Sequence, residues 1–208
     1  NKSGSLAARF VWNIQNNRLE GRNMATLKLE KKTAFPFFIL HECGDGVRRV
    51  AEKVSRDVIG VTDTQTEVSV VEICAKGKKD TQHHSQAVFV ATDGCGERAE
   101  KLLYEIPELK RVKGKKESYA FLIRETVLEE AENALVIYGS DRLGTIYGLF
   151  HLSELLGVTP MLYWGDCPYK KRNLVIIDDK DNYISKEPSV AYRGFFINDE
   201  WPAFGNWC

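Results

Sequence analysis

The 208-residue sequence lacks the features that mark several large classes of protein. No apolar run approaches the ~20 residues that a transmembrane helix needs. Basic and acidic residues both number 29, so no net charge attracts nucleic acid or an anionic membrane. The phosphate-binding patterns GxGxxG and GxxxxGK(S/T) are absent, as is the GxSxG turn of the α/β-hydrolases. The sequence therefore gives no support for a membrane, nucleic-acid or nucleotide-binding function.

Cysteine is sparse and scattered, and no CxxC pair is present. This spacing argues against a structural zinc site and implies no disulfide framework, so free thiols in a reducing compartment are expected. His83 and His84 are adjacent and would face opposite ways in a strand, so we predict neither a metal nor a cofactor. The cysteines are Cys43, Cys74, Cys95, Cys167 and Cys208.

The N-terminal region has no basic segment followed by an apolar segment, so it does not resemble a signal peptide. A cytoplasmic location is the resulting expectation, with secretion left open if the true N-terminus is missing. Residues 1–23 are unusually polar, and a clean alternating strand begins only after Met24. We therefore expect residues 1–23 to be an extension that is not part of the fold.

Beyond Met24, strand and helix patterns alternate, which predicts an α/β layered domain with a mixed sheet of five or six strands. The apolar run 35–40 contains Pro36, which suggests an edge strand or the start of a strand. Gly60 is expected to end the first helix. The predicted helices span 47–58, 97–106 and 142–156, and the predicted strands lie near 25–31, 35–40, 67–73, 87–91, 118–125, 134–139, 173–178 and 191–197.

A polar stretch at 178–189, containing Pro188, has the composition of an interdomain linker. We therefore predict an accessory domain over 24–185, followed over 186–208 by a linker and one strand of a second domain. A lone strand cannot bury both of its faces, so the sequence is expected to be truncated.

The predicted helix 142–156 carries one carboxylate in an unusual setting. Leu143, Tyr147, Phe150 and Glu154 share one stripe, while leucines cover another face, so the helix is expected to be well buried. A buried carboxylate needs a partner, a ligand or a wet cleft. Glu154 either reaches solvent or pairs with an arginine such as Arg142, or it lines a sugar site.

Two sequence blocks resemble those of glycoside hydrolase family 115, the xylan α-1,2-glucuronidases. They are GSDRLGTIYGLFHLSELLGVTP followed by LYWGD, and EPSVAYRGFFINDEWPAFGNW. The resemblance is strongest over residues 134–207 and weaker but colinear over 24–133. One position departs from the family pattern, because Leu143 stands where the family usually has arginine.

The resemblance implies an N-terminal α/β domain followed by a (β/α)₈ barrel, with YRGFFINDE as the first barrel strand. Catalytic groups of such barrels lie at the C-terminal ends of strands, where Asn198, Asp199 and Glu200 fall. It also implies that Asp199 is the catalytic candidate, and that its partner carboxyl lies beyond residue 208. Glu200 is assigned a structural role.

The implied substrate is glucuronoxylan or its oligosaccharides, and homo-oligomerisation is left open. Asn198 and Glu154 are the polar candidates for binding it. Trp164 and Trp201 either stack on a sugar or belong to the core at the domain interface. Two other possibilities stay open: a non-catalytic carbohydrate-binding or interaction module, and a fragment that folds without activity of its own.

Overall fold

The structure is a computed structural model, and it describes residues 25–40, 44–71, 83–125, 127–163, 165, 167–194 and 196. The predicted extension over 1–23 and the end of the chain after Phe196 lie outside the described residues. Three helices are described: α1 (Asp45–Thr62), α2 (Glu97–Glu105) and α3 (Arg142–Leu155). Short 3₁₀ helices span Pro107–Arg111, Pro160–Tyr163 and Asp179–Asp181.

Strands over the described residues form two sheets. They are β1 (Leu27–Leu29), β2 (Phe37–Ile39), β3 (Val68–Val70), β4 (His84–Thr92), β5 (Tyr119–Glu125), β6 (Ala131–Gly139), β7 (Val175–Ile177) and β8 (Tyr183–Ile184). The main sheet has six strands in the order β3-β2-β4-β6-β5-β8, and β1 pairs with β7 in a separate two-stranded sheet.

The main sheet is mixed, as the sequence predicts. Strands β3, β2, β4 and β6 run parallel, whereas β5 is antiparallel to both of its neighbours. The predicted α/β layered fold is therefore confirmed, and no closed barrel is seen in the described ranges. The small β1–β7 sheet was not predicted, because the pairing joins segments far apart in the sequence and periodicity carries no information about partners.

Hydrophobic side chains fill a core on each face of the main sheet. Helices α1 and α3, together with the β1–β7 sheet, cover one face, which contains Leu27, Ala51, Leu135 and Leu149. Helix α2 and the 3₁₀ helix Pro107–Arg111 cover the other. Strands β4 and β6 are buried on both faces, which explains their continuous apolar runs.

Helix α1 is longer than predicted, because it continues through Gly60 to Thr62. Gly60 does not end the helix; it makes room for a ring. A Cβ placed there would lie 2.5 Å from Cε2 of Tyr169.

Among the described residues, α1 is the longest helix at 18 residues. No helix in this part of the chain is both long and apolar enough to cross a membrane.

Part of the polar stretch that contains Pro188 packs along the edge of the main sheet. We call residues 182–193 the strap, because it runs beside β5 and the loop before it. Unsatisfied backbone groups at a sheet edge favour such a cover. Three strap side chains accept backbone N–H groups there: Asn182 from Ile123 (2.7 Å), Ser185 from Tyr119 (2.7 Å) and Glu187 from Lys116 (2.8 Å).

The predicted final strand over 191–197 does not form over its described residues. Residues 191–194 and 196 have no strand conformation, and Tyr192 and Phe196 are 97% and 96% exposed. A strand requires a neighbour with which to exchange backbone hydrogen bonds. No ladder joins these residues to any other described segment.

The expectation that every cysteine is a free thiol is only partly correct. Cys167 is free and exposed, but Cys95 is disulfide-bonded. The prediction was wrong for Cys95 because sequence spacing does not show which cysteines meet in the fold.

The contact between α3 and the sheet yields a prediction at Gly144. A Cβ there would lie 2.2 Å from the Ser118 carbonyl oxygen, which is backbone and cannot easily move. We expect Gly144→Ala to lower the free energy of unfolding by about 1–3 kcal/mol. Gly46 in the first turn of α1 is the matched control, because a Cβ there meets only Ile146 at 3.8 Å. Gly46→Ala should be neutral or stabilising by up to ~1 kcal/mol. Equal effects in urea denaturation would contradict the close approach.

Candidate functional site

Most predicted site residues fall on parts of the chain that the structure leaves undescribed. Trp164, Asn198, Asp199 and Trp201 lie outside the described residues, so their roles stay predictions. Glu154 is described, and its surroundings on α3 are the starting point for the site.

Glu154 lies near the C-terminal end of α3 and is exposed. The expectation of a well-buried α3 is therefore wrong for the stripe that carries Glu154. Leu143, Tyr147 and Phe150 on that stripe are each more than a third exposed, because the opposite face of the helix packs on the sheet. Arg142 is twelve residues earlier, roughly 18 Å along the helix, so the two side chains cannot pair.

A groove of about 510 Å³ lies beside Glu154, between α1 and the chain that follows α3. Its size falls within the ~300–1,000 Å³ of typical small-molecule sites. Polar and apolar side chains share its lining: Lys53, Asp57, Phe150, Ser153, Glu154, Val158, Thr159, Pro160 and Leu162.

Asp57 is a buried carboxylate in the lining of this groove, and it joins three segments of the chain. It is 2% exposed. Its Oδ2 accepts a hydrogen bond from the Ser153 hydroxyl at 2.7 Å, and its Oδ1 accepts one from the Tyr169 hydroxyl at 2.9 Å. Hydrogen bonds to a charged group are stronger than neutral ones. Asp57 therefore fixes the position of the α3 turn that carries Glu154.

The groove also combines an ammonium with an aromatic ring. Lys53 Nζ lies 5.9 Å from the centroid of the Phe150 ring. An aromatic face, carboxylate acceptors and a cationic donor are groups that suit a ligand with many hydroxyls and a negative charge.

His151 lies on another side of the same helical turn, between aromatic rings. The ring centroids of Phe121, Tyr183 and Tyr119 lie 4.6, 5.1 and 5.7 Å from that of His151. Burial lowers the pKa of His151, although Glu154 and Asp181 act in the opposite direction. Burial likewise raises the pKa of Tyr119 to about 12. Both side chains are therefore neutral near pH 7.

The other end of α3 holds the last part of the strap. The Arg193 guanidinium pairs with the Glu117 carboxylate and lies 3.3 Å from the Tyr147 hydroxyl. It also donates to the Val190 carbonyl at 2.6 Å. The hydrogen bond that Arg193 donates to the Glu117 carboxylate raises the pKa of Arg193 above its ordinary value. We call Glu117, Tyr147 and Arg193 the clamp.

Sequence patterns did not point to the residues that shape these two regions. Asp57 offered a weak signal, because it adjoins Val54 and Val58 on the apolar face of α1. The clamp offered none, since Glu117 and Arg193 are separated by 76 positions in the chain. Such pairings arise from the fold rather than from local periodicity.

The role of Asp57 can be tested by removing its carboxylate. We expect Asp57→Ala to lower the free energy of unfolding by about 2–3 kcal/mol, because two hydroxyl groups lose their buried acceptor. The control is Glu52→Ala on the same helix, which removes a partly exposed pair with Arg48 and should cost no more than ~0.5 kcal/mol. If denaturant titrations give the two variants similar small losses, Asp57 does not join α1 to α3.

The lowered pKa of His151 predicts a pH dependence of stability. The unfolded chain binds a proton near pH 6.5, but the folded chain resists it, so stability falls as the pH drops below about 6.5 towards the folded pKa. We expect His151→Phe to flatten this part of the profile. His84→Gln, which leaves the aromatic surroundings of His151 intact, should keep it. Thermal unfolding from pH 8 to 5 measures both; an unchanged slope in His151→Phe would contradict the assignment.

Comparisons with known proteins find similarity at the level of structure. No protein-family model matches the chain, and no curated protein matches it. Among solved structures, it is similar to a family GH115 4-O-methyl-α-glucuronidase described as specific for decorated arabinogalactans. The sequences are 27% identical, the TM-score is 0.61, and the match covers 85% of this chain.

The same match covers only 20% of the glucuronidase chain. The similarity therefore concerns one part of a much longer enzyme. At that level it agrees with the resemblance seen in the sequence, and the described domain has a fold like that of a segment of a GH115 glycoside hydrolase.

Proposed function

We propose that this chain is the N-terminal part of a glycoside hydrolase that removes (4-O-methyl-)glucuronic acid side chains from xylan. The observation that carries the proposal is the structural match, at 27% identity over 85% of this chain, to a GH115 glucuronidase. The two sequence blocks that resemble the same family support it independently. Glucuronoxylan or its oligosaccharides are the proposed substrates.

Hydrolysis of a glycosidic bond requires two carboxyl groups, one to protonate the leaving oxygen and one to activate water or attack the sugar. Inverting enzymes, as this family is understood to be, hold them ~6.5–9.5 Å apart. Asp199 is the proposed contribution of this chain. Glu200 is its sequence neighbour, and adjacent residues of an extended segment face opposite ways, so the two are not proposed to flank one bond. The second carboxyl is proposed to come from residues after 208. No cofactor is needed for this chemistry.

Glu154, Asn198, Trp164 and Trp201 are the proposed substrate-binding residues. Support for Glu154 comes from the groove that it shares with Lys53 and Phe150, since a uronic acid offers a carboxylate to an ammonium and an apolar face to a ring. The other three stand on the resemblance alone.

A second polysaccharide deserves testing because the similar solved enzyme is described as specific for decorated arabinogalactans. Both polymers can carry the same (4-O-methyl-)glucuronosyl group, so the bond that is cleaved would be similar and the recognised backbone would differ. Parallel assays on glucuronoxylan and on a glucuronidated arabinogalactan separate the two substrates.

The natural gene provides the first test. If the reading frame continues past Cys208 with alternating strands and helices over several hundred residues, the enzyme proposal is supported. A stop codon soon after Cys208 would favour the alternative, a non-catalytic carbohydrate-binding or interaction module.

The full gene product provides the catalytic test. We expect Asp199→Ala to lower kcat on glucuronoxylan fragments by roughly 10²-fold or more, the scale of acid–base groups. Glu200→Ala should act through stability, by ~0.5–3 kcal/mol. Chromatography of released (4-O-methyl-)glucuronic acid measures activity, and thermal unfolding separates the two effects.

The 208-residue chain alone should release no glucuronic acid, because one carboxylate cannot serve both sides of the bond. Release that Asp199→Ala abolishes in this chain would show that the second carboxyl lies within residues 1–208. Full activity of Asp199→Ala in the gene product would remove Asp199 from the mechanism.

A further inference from the structure

Three consecutive basic residues border the groove that Glu154 lines. They are Lys170, Lys171 and Arg172, and all three are exposed. A Cβ on Gly157, the residue just before Val158 of the groove lining, would lie 3.2 Å from Arg172 Nη2. The Arg172 guanidinium therefore lies beside the turn that forms one wall of the groove.

This basic segment is fixed to the helix that supports the groove. On one side of it, the Tyr169 hydroxyl donates to Asp57 at 2.9 Å. On the other side, the Arg172 N–H donates to the Val61 carbonyl oxygen at 2.8 Å. Both acceptors belong to α1, so Lys170 and Lys171 project from a backbone that is held at each end.

A fourth cation comes from the loop between β1 and β2. Lys171 Nζ lies 2.5 Å from Asp63 Oδ1, and this hydrogen bond lowers the pKa of Asp63. The charge of Lys31 acts on the same carboxylate in the same direction, which places Lys31 near Lys171 because exposed charges are screened over ~10 Å. We call Lys31, Lys170, Lys171 and Arg172 the basic surface.

Complementing the helix dipoles explains only part of this charge. Helices α1 and α3 both follow parallel strands of the main sheet and both end at this edge, and neither has a basic residue in its last turn. A cation near a helix C-terminus is favourable. Lys171 and Arg172 are placed for that role. Within the described parts of the chain, Lys31 and Lys170 form no ion pair, so the two helix ends do not account for them.

The groove indicates which kind of polyanion suits the basic surface. Glu154 and Asp57 line the groove, and their carboxylates accept hydrogen bonds from hydroxyl groups but repel phosphates. The Phe150 ring offers an apolar face on which a sugar can pack. A polymer with many hydroxyls and occasional carboxylates matches this combination, whereas a nucleic acid with a phosphate on every unit does not.

We propose that the basic surface binds the carboxylates of a uronic-acid-bearing polysaccharide, while a neighbouring sugar of the same polymer lies in the groove. The inference rests on the proposed function for its choice of polymer, because glucuronoxylan carries such carboxylates. It concerns how the chain holds the polymer and assigns the basic surface no part in bond cleavage.

Affinity electrophoresis of the 208-residue chain tests this directly. The two probes are glucuronoxylan and the same polymer with its carboxyl groups reduced to alcohols. We expect the native polymer to bind about fivefold more tightly at low ionic strength, the scale of two or three exposed charge contacts. This preference should disappear towards ~1 M salt, where the Debye length is ~3 Å.

The double variant Lys170→Gln with Arg172→Gln removes two charges and leaves the pair between Lys171 and Asp63 in place. We expect it to reduce the preference for the native polymer to less than about twofold. Binding of the reduced polymer and the thermal midpoint should stay at their wild-type values, which a merely structural role of these side chains would not predict.

Lys110→Gln with Arg111→Gln is the matched control. These are also an exposed lysine and an exposed arginine, with no ion pair to any described residue. They precede β5, whose first residue Tyr119 pairs with Gly139 at the end of β6, so they lie at the opposite edge of the main sheet. This variant has the same net charge as the first and should keep the fivefold preference.

Three results would overturn the proposal. Equal binding of both polymers by the wild-type chain would show that carboxylates are not recognised. Equal losses in the two double variants would reduce the effect to net charge. Tighter binding of a DNA duplex than of glucuronoxylan, lost with Lys170 and Arg172, would show that the surface binds phosphates.

These outcomes are separable from those of the proposed function. If the full gene product releases glucuronic acid but the chain shows no preference for the native polymer, the basic surface fails and the proposed function stands. If the preference depends on Lys170 and Arg172 but the gene product releases no glucuronic acid, the basic surface stands and the proposed function fails.

Discussion

The close approach of α3 to the main sheet is the constraint on which the rest of the structure depends. Gly144 and Gly148 face the sheet, where a Cβ would lie 2.2 Å from the Ser118 carbonyl oxygen and 2.7 Å from Cγ2 of Ile137. Without side chains at these positions the helix reaches the strands, and its leucines complete the core that α1 shares. A helix held farther away would leave that core incompletely packed, and interiors tolerate such gaps poorly.

Because α3 is fixed along its length, it positions polar side chains near both of its ends. At the C-terminal end, Ser153 donates to the buried Asp57 of α1 and the adjacent Glu154 lines the groove. At the N-terminal end, Asp141 caps the helix and holds the Glu117 backbone that faces Arg193. The proposed sugar-binding carboxylate and the anchor of the strap are therefore parts of one rigid unit.

The sequence was sufficient to predict what depends on local pattern. The three helices and the strands predicted between residues 25 and 178 follow from periodicity, and the structure confirms them. Contacts between distant segments were not predictable. The strap has the composition of a linker, and only the fold shows that Asn182 and Ser185 pair with β5. The exposure of the stripe that carries Glu154 was not predicted, because hydrophobic neighbours in sequence do not show which face of a largely apolar helix meets solvent.

The proposed function rests on a fold shared with a segment of a GH115 glucuronidase and on Glu154, which lies on α3. Native-state hydrogen exchange of the 208-residue chain tests most directly whether α3 is that rigid support. The account predicts that amides from the second turn of α3 to its end exchange only through global unfolding, with the same free energy as those of β6. Exchange of α3 through a separate opening of lower free energy, with β6 still protected, would contradict it.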